Sequence, residues 1–194
     1  MGAGGSRGMR VWAGRALGDT GTNGTRLLPT LSSAGREVGS NLCVPPEDRP
    51  RDIRGLRRIA STADDIAWIM QAVDTPANGL SLCTGSLGAH PENDLPAIAQ
   101  TFASRIHFVH LRNATKQPDG SFTESAHLEG DVDLVAVIDE LLEAETTRDV
   151  DLPFRADHGH ALLTDNQRDF QPGYTLIGRL RGLSELRGII AALT

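Results

Sequence analysis

Cys83, His110 and Asp157 each stand at the end of a short apolar run with the composition of a buried strand. The carboxyl ends of parallel strands share one edge of a sheet, so three such residues would lie close together. Thiolate, imidazole and carboxylate together suit a borderline divalent ion such as Fe2+, Mn2+, Co2+ or Zn2+. The sequence therefore predicts a metal site on this edge of the sheet.

Each of the three residues also has a structural interpretation. A lone cysteine at a strand end is usually a small buried apolar side chain. His107, on the other face of the same strand as His110, is interpreted as structural. Asp157 and His158 before Gly159 could form a turn in which the Asp side chain caps the backbone. The coincidence of three candidates at successive strand ends favours the metal site over these alternatives.

Polar side chains that suit an anionic, hydroxyl-rich ligand surround the three candidates. Arginine forks bind carboxylates through two points, and histidine and asparagine supply further hydrogen bonds. The predicted substrate-binding residues are Arg112, Asn113, His127, Arg155, His160 and Arg179. The alternative for the arginines is an ordinary solvated surface, and for Arg179 alone the two interpretations are equally open.

From Asn41 onward the chain alternates between strand and helix patterns. The predicted strands are Leu42–Val44, Gly79–Thr84, Ile106–Leu111 and Leu152–Ala156. The predicted helices are Ala63–Val73, Asp94–Ala103, Val132–Glu143 and a last one within Ile177–Leu193 that begins near Leu183. Such alternation indicates an α/β fold with a parallel sheet. A complete (β/α)8 TIM barrel takes about 250 residues, so four strand–helix units predict a partial barrel.

Composition restricts the classes of function. The formal net charge of -6 argues against nucleic acid as the main partner. No apolar run reaches the roughly 20 residues that span a bilayer, so no membrane association is expected. Two cysteines imply no disulfide framework, and we expect a cytoplasmic protein with reduced thiols.

Residues 1–40 differ from the rest of the chain. They contain ten of its 21 glycines and hold neither a helical nor a strand period. Such a stretch buries too little apolar surface to offset the entropy of ordering it. We therefore expect a low-complexity or disordered segment over residues 1–40, or remnant sequence from a disrupted upstream region, and a folded domain over residues 41–194.

Five segments, in their order and spacing, resemble the mannonate dehydratase family. They are Leu82–Gly88, His110–Asn113, Glu124–Asp133, Arg155–His160 and Pro172–Leu183. The resemblance runs from about Asn41 to the C-terminus, and it implies the C-terminal half of a TIM barrel of the xylose isomerase group. It also implies dehydration of the sugar acid D-mannonate to 2-keto-3-deoxy-D-gluconate in hexuronate (glucuronate) breakdown, with Mn2+ or Fe2+ as cofactor.

The resemblance implies roles for individual residues. Cys83, His110 and Asp157 match three of the four metal ligands of the family, and His158 and Tyr174 match its positions for proton transfer. Removing the C2 proton of a sugar acid needs a base, and the departing C3 hydroxyl needs an acid. A metal ion stabilises the negative charge that develops. Which role falls to His158 and which to Tyr174 stays open.

The first ligand position departs from the family pattern. The family usually has His-Pro-Asp-Asp-Pro-Pro here, and counting back from Gly55 puts Pro45 where the histidine should be. Proline offers no lone pair to a metal. Cys43, two residues earlier and on the same strand face, is a conceivable substitute ligand.

The full chain of the family would supply four more strands before Asn41. Without them we expect open sheet edges and an uncovered apolar interior. Three hypotheses follow: an active hydro-lyase, with half-barrels paired in a homo-oligomer; a truncated, inactive fragment; and a sugar isomerase or epimerase of the same barrel group. The last is disfavoured because the matched motifs are specific to the dehydratase.

Overall fold

The computed structural model of the chain describes residues 27–48, 58–167 and 169–194. In chain order the elements are α1 (27–37), β1 (Leu42–Val44), α2 (Ala63–Ala72), β2 (Asn78–Cys83), α3 (Thr84–Gly88), α4 (Leu95–Thr101), β3 (Ile106–Leu111), β4 (Asn113–Lys116), β5 (Phe122–Ser125), α5 (Leu134–Arg148), β6 (Phe154–Ala156) and α6 (Leu176–Leu193). Short 3-10 turns cover Ala103–Arg105 and Leu163–Gln167.

Four strands form one parallel sheet in the order β1-β2-β3-β6. A helix lies in each connection between neighbouring strands, as parallel pairing requires. Cys83 stands opposite His110, and His110 stands opposite Arg155. The carboxyl ends of three neighbouring strands therefore meet at one edge, and the predicted α/β fold with a parallel sheet is confirmed.

The hydrophobic core lies between one face of the sheet and the helices. Leu82, Val109 and Leu111 point into it and are almost fully buried. From α5 the buried side chains are Leu134, Val137, Ile138, Leu141 and Ala144. This spacing puts an apolar stripe along one side of the helix. Because side chains alternate along a strand, Cys83 and His110 project from the opposite face of the sheet.

Helix α5 extends five residues beyond its predicted end at Glu143. Asp133 caps its first turn by accepting a hydrogen bond from the backbone of Ala136. The last turn is held by Arg148, whose guanidinium donates to the carbonyl oxygen of Ile106 at 2.7 Å. The helix ends at Arg148, and its C-cap Asp149 adopts a left-handed conformation with φ of 54°. The contact of Arg148 with Ile106 lies outside the helix, and no local sequence pattern indicates it. This contact accounts for the additional residues of α5.

Helix α6 begins at Leu176, seven residues before the predicted start near Leu183. Gly178 and Gly182 weaken the helical pattern there, since glycine costs about 1 kcal/mol relative to alanine. A Cβ atom on Gly182 would overlap the ring of His127, and one on Gly178 would overlap the carbonyl oxygen of His160. The glycines thus allow close packing of the helix. None of the described helices has the length and apolar character needed to cross a membrane.

Strands β4 and β5 form an antiparallel hairpin that the sequence did not predict. Ala114 pairs with Glu124, and Gly120 makes the turn with φ of +80°. Each strand has four residues and a polar composition, so neither stands out by periodicity. We expected Glu124 to lie in a loop, but the hairpin places it on strand β5.

The structure also differs from the expectation for residues 1–40. Residues 27–37 are helical, and Leu28 and Ser32, one turn apart, are buried. Leu28 belongs to the hydrophobic core, which stabilises a stretch with little helical pattern of its own. The predicted disorder therefore does not hold for residues 27–37, and the prediction for residues 1–26 lies outside the described residues.

Strands β1 and β6 are the two edges of the parallel sheet. Each has a single strand neighbour within the described part of the chain, as the sequence led us to expect. The face that carries Cys83 and His110 has Phe108 beside them, and its ring packs edge-on against that of His110 at 5.2 Å.

Candidate active site

Three potential metal donors converge at the carboxyl edge of the parallel sheet. Cys83 is the last residue of β2, His110 the penultimate residue of β3, and Asp157 follows β6 directly. One donor atom from each of the three residues lies within 4.8 Å of the others. Cys83 and Asp157 are buried and His110 is half-buried. The arrangement can hold a divalent metal ion, as the sequence predicted.

Burial controls the protonation of two of these donors. It raises the pKa of the Cys83 thiol, although a hydrogen bond from the Ser86 hydroxyl at 3.2 Å acts in the opposite direction. Burial also lowers the pKa of His110, against the attraction of the Asp157 carboxylate. A neutral imidazole has a lone pair free for a metal, whereas the thiol must lose its proton when an ion binds.

His158 and Tyr174 lie together next to the donors. The Nε2 atom of His158 is 3.2 Å from the Tyr174 hydroxyl and 3.9 Å from Oδ2 of Asp157. The backbone brings the two rings together, because the amide of Gly159 donates to the carbonyl of Gly173 at 3.0 Å. Two groups able to transfer protons thus adjoin the metal donors, although they are 16 residues apart in sequence.

A chain of charges runs from the loop after β1 to His158. Arg112 is 4% exposed and its guanidinium contacts the carboxylates of both Asp48 and Glu124. Its Nε atom donates to both oxygens of Glu124, at 2.9 and 3.0 Å. Oε1 of Glu124 lies 3.0 Å from Nδ1 of His158. Burial acts to raise the pKa of Glu124, but the contacts with His158 and Arg112 lower it to about 2.

Asn113 and His127, two of the predicted substrate-binding residues, lie inside the fold, as Arg112 does. Asn113 is 1% exposed, and its amide donates to the carbonyls of His127 and Val132 while its oxygen accepts from the amides of Ala114 and Val132. His127 is also buried, with Nε2 at 3.0 Å from the carbonyl oxygen of Leu111. Their polar groups fasten the hairpin to the sheet. Burial and these bonds favour a structural role for Asn113 and His127, and their substrate contacts stay a prediction.

Arg155, His160 and Arg179 lie at the mouth of the site. The Arg155 side chain is half-exposed and reaches Oδ1 of Asp157 at 2.7 Å. Nε2 of His160 lies 3.1 Å from the carbonyl oxygen of Glu124. The guanidinium of Arg179 lies over the ring of Tyr174, 5.9 Å from its centroid. These three side chains, unlike Arg112, are positioned where an anionic ligand could reach them.

Among the described residues, the carboxyl end of β1 contributes no donor to the site. Pro45 follows this strand directly and is exposed. Cys43 stands opposite Gly79, four residues before Cys83 on the neighbouring strand. At about 3.3 Å per residue this puts the two sulfur-bearing positions roughly 13 Å apart along the strand direction. Cys43 is therefore too far away to replace the missing ligand, and the described residues provide a three-donor site.

Comparison with known proteins identifies the family. The model of the D-mannonate dehydratase (UxuA) family matches residues 26–194. The chain belongs to the D-mannonate dehydratase family. Mannonate dehydratases of Rhizobium meliloti and Chromohalobacter salexigens are 51% identical over 176 residues and 52% identical over 171 residues. Each alignment covers 86% of this chain and 44% of the relative, so the chain spans less than half the length of these dehydratases.

Solved structures agree with the family on the fold. The mannonate dehydratase from Streptococcus suis serotype 2 matches with a TM-score of 0.79 and 30% identity, over 87% of this chain and 48% of that chain. A xylose isomerase domain protein from Planctomyces limnophilus matches with a TM-score of 0.59 over 87% of this chain and 52% of that chain, at 14% identity, where the likeness concerns the fold alone. The predicted fold, part of a TIM barrel, is confirmed.

Sequence reasoning missed three polar residues of this dehydratase-family site. Asp48 contacts both Arg112 and Ser86, and Ser86 donates to the sulfur of Cys83. Glu124 lies inside a segment that resembles the family. The sequence alone gave it no role, because its place in the site depends on the hairpin that was not predicted. The available signal was the polar strand pattern around Glu124, which is too short to separate from a loop.

Proposed function

We propose that this chain carries the metal-binding side of an active site that converts D-mannonate to 2-keto-3-deoxy-D-gluconate and water. The observation that carries the proposal is the position of His158 and Tyr174 beside three metal donors. Proton-transfer groups next to an ion are what elimination of water next to a carboxylate needs. Membership of the D-mannonate dehydratase family supports the choice of substrate.

Cys83, His110 and Asp157 would hold the ion, and we propose Mn2+ or Fe2+ from the family resemblance. When bound, the ion would stabilise the negative charge that develops beside the substrate carboxylate as the C2 proton leaves. A sulfur, a nitrogen and an oxygen donor form a set that borderline divalent ions accept.

Two proton movements complete the reaction, and we assign them to His158 and Tyr174 as a pair. One side chain takes the proton from C2, and the other gives a proton to the C3 hydroxyl, which leaves as water. The resulting enol rearranges to the 2-keto acid, so the substrate loses one water and no electrons. The 3.2 Å contact between the two side chains lets a proton return from one to the other between turnovers.

Arg155, His160 and Arg179 are our proposed substrate contacts. Guanidinium groups bind carboxylates through paired hydrogen bonds. The half-exposed position of Arg155 beside Asp157 supports a contact between its guanidinium and the carboxylate end of the sugar acid. His160 and Arg179 would donate to hydroxyl groups farther along the substrate.

We place the reaction in hexuronate (glucuronate) breakdown in the cytoplasm, on the strength of the family resemblance. A homo-oligomer in which two open sheet faces meet stays a prediction. Sedimentation velocity of the purified chain at several concentrations measures it, and a monomer at every concentration would contradict it.

The test is to incubate the purified chain with D-mannonate and Mn2+ or Fe2+ and to quantify the 2-keto acid. Elemental analysis measures bound metal in the same samples. Glu143→Gln is the matched control, because Glu143 is exposed on α5. Product formation that requires metal, and that persists in Glu143→Gln, supports the proposal.

Other outcomes distinguish the remaining hypotheses. A chain with neither product nor bound metal would be the inactive fragment, and the proposal would fail. Turnover of an aldose or ketose without turnover of D-mannonate would indicate a sugar isomerase or epimerase instead.

A further inference from the structure

The imidazole of His158 lies between a carboxylate and a phenol. Its Nδ1 atom is 3.0 Å from Oε1 of Glu124, and its Nε2 atom is 3.2 Å from the hydroxyl of Tyr174. The two ring nitrogens of a neutral histidine are chemically different, since one carries the hydrogen and the other the lone pair. The groups at each end of the ring therefore decide which nitrogen can accept a proton.

The Glu124 end of the ring is closed to water. Nδ1 of His158 is buried and lies 3.0 Å from Oε1 of Glu124, and none of the described residues, Glu124 included, meets the geometry of a hydrogen bond to it. The carboxylate thus acts on Nδ1 through its close negative charge. Glu124, with its pKa lowered to about 2, is ionised at neutral pH. An ionised carboxylate only accepts hydrogen bonds. The hydrogen of the neutral ring consequently belongs on Nδ1, and the lone pair on Nε2 faces Tyr174.

Glu124 is itself held in place from the other side. Arg112 donates to both of its oxygens, and a second carboxylate, Asp48, contacts the same guanidinium. The backbone amide of Arg112 donates to the hydroxyl of Thr84 at 2.9 Å, and that hydroxyl donates to the carbonyl of Arg112 at 2.6 Å. Because the planar guanidinium of Arg112 contacts a carboxylate on each side, it fixes the orientation of the Glu124 carboxylate with little loss of side-chain entropy.

We propose that Glu124 is a positioning residue that fixes His158 in the tautomer with hydrogen on Nδ1, so that Nε2 is the atom that exchanges protons. This proposal rests on the proposed function of His158 in proton transfer. Glu124 need not touch the substrate for this role, because it acts through the imidazole ring.

A purely structural role for Glu124 is the alternative, in which its only function is to neutralise the buried Arg112. The two roles give different results. Loss of an ion pair with Arg112 lowers stability but leaves the His158 tautomer unchanged. Loss of the acceptor at Nδ1 changes the tautomer even where the fold is intact.

The primary test measures the tautomer directly, without turnover. The full chain, labelled with 15N at histidine, is studied by long-range 1H–15N correlation at a pH of about 8.5, two units above the usual imidazole pKa. The spectrum of His158→Gln identifies the signals of residue 158. In the wild type we expect Nδ1 to show the shift of a protonated ring nitrogen and Nε2 that of an unprotonated one.

Three variants separate the two roles. Glu124→Ala should move hydrogen toward Nε2, so that both nitrogen shifts change. Asp48→Asn, which perturbs the same guanidinium from the other side, should leave the tautomer as it is. Tyr174→Phe should also leave it unchanged, because the carboxylate at Nδ1 remains. Circular dichroism of each variant verifies that the fold is retained. If Glu124→Ala unfolds, Glu124→Met replaces it, because Met has a similar length and offers no carboxylate or amide acceptor at Nδ1.

A kinetic test follows if the wild type turns over D-mannonate. Glu124→Ala should lower kcat by about 10²-fold, in the range of a misdirected general acid or base, while KM changes much less. Glu143→Gln should match the wild type.

The outcomes of the two tests are distinguishable. Hydrogen on Nε2 in the wild type, or the same tautomer in the wild type and the folded Glu124 variant, would overturn the positioning role even if turnover is observed. An inactive wild type with the expected tautomer shift would instead contradict the proposed function and leave the role of Glu124 in fixing the ring supported.

Discussion

The two edge strands of the parallel sheet, β6 and β1, end very differently. β6 is followed by Asp157, a candidate metal donor, and by His158, our proposed proton-transfer group. β1 is followed by the exposed Pro45, which supplies neither. In the described part of the loop after it, Asp48 contacts the guanidinium of Arg112 and the hydroxyl of Ser86.

The contrast shows that a strand end provides a location and the residue type provides the chemistry. Both strands belong to one sheet and both deliver the chain to its carboxyl edge. A carboxylate there can bind an ion, whereas a proline ring has no lone pair to offer. The chemistry of the site is therefore concentrated on β2, β3 and β6.

The largest expected effect is loss of metal binding when a donor at the end of β3 or β6 is removed. His110→Gln and Asp157→Asn should each weaken metal affinity by more than about 100-fold, since even residues that merely orient ligands contribute 10- to 100-fold. His107→Gln on the same strand is the control, because its ring binds the carbonyl of Pro76. Elemental analysis after gel filtration measures the metal, and stoichiometric metal in His110→Gln would contradict the site.

The next effect concerns proton transfer beside β6. Tyr174→Phe keeps the ring but removes the hydroxyl that contacts Nε2 of His158. We expect kcat to fall by about 10²- to 10⁴-fold, the usual contribution of an acid–base group, while bound metal stays unchanged. Steady-state assays for the 2-keto acid measure this, and an unaltered kcat would remove Tyr174 from the reaction.

A smaller effect tests the contacts by which Arg112 links Asp48, in the loop after β1, to Glu124. Arg112→Met leaves Glu124 and Asp48 without their cation, and we expect a loss of about 3 kcal/mol, at the low end for a broken buried pair because Asp48 is 66% exposed. Urea unfolding at pH 7 measures it.

The same variant has a pH dependence with a defined sign. Because the pKa of Glu124 is lowered to about 2 in the fold, its stabilising contribution is fully present above its unfolded value near 4.5 and is lost as the pH falls toward 2. The stability difference between the wild type and Arg112→Met should shrink from pH 7 to pH 3. A difference that stays constant would contradict the ion-pair interpretation.

The smallest expected effect comes from a substitution that removes the difference between the ends of β1 and β6. Pro45→His gives β1 a donor, and we expect metal affinity to rise about tenfold, equivalent to 1.4 kcal/mol. Calorimetric titration with Mn2+ measures it. Cys43→Ser is the control, since Cys43 lies far below the donors, and a loss of affinity in Cys43→Ser would show that the register argument is wrong.

Sequence reasoning located β1 and β3 to the residue, and β2 and β6 within two residues, because the strands of this parallel sheet are short apolar runs. It also placed Cys83, His110, Asp157 and His158 at strand ends. It failed for the hairpin, whose polar strands carry no period, and for the start of α6, where two glycines needed for close packing imitate a loop.

By itself the sequence determined the alternation of strands and helices, the family, the donor types and the proline at the end of β1. These depend on local pattern and residue identity, which are visible in one dimension. The tertiary structure alone decided that Asn113 and His127 are buried, that Cys43 cannot reach the donors, and that Glu124 meets His158. Those facts depend on register and on contacts between residues far apart in the chain, which emerge only when the strands pair and the helices pack.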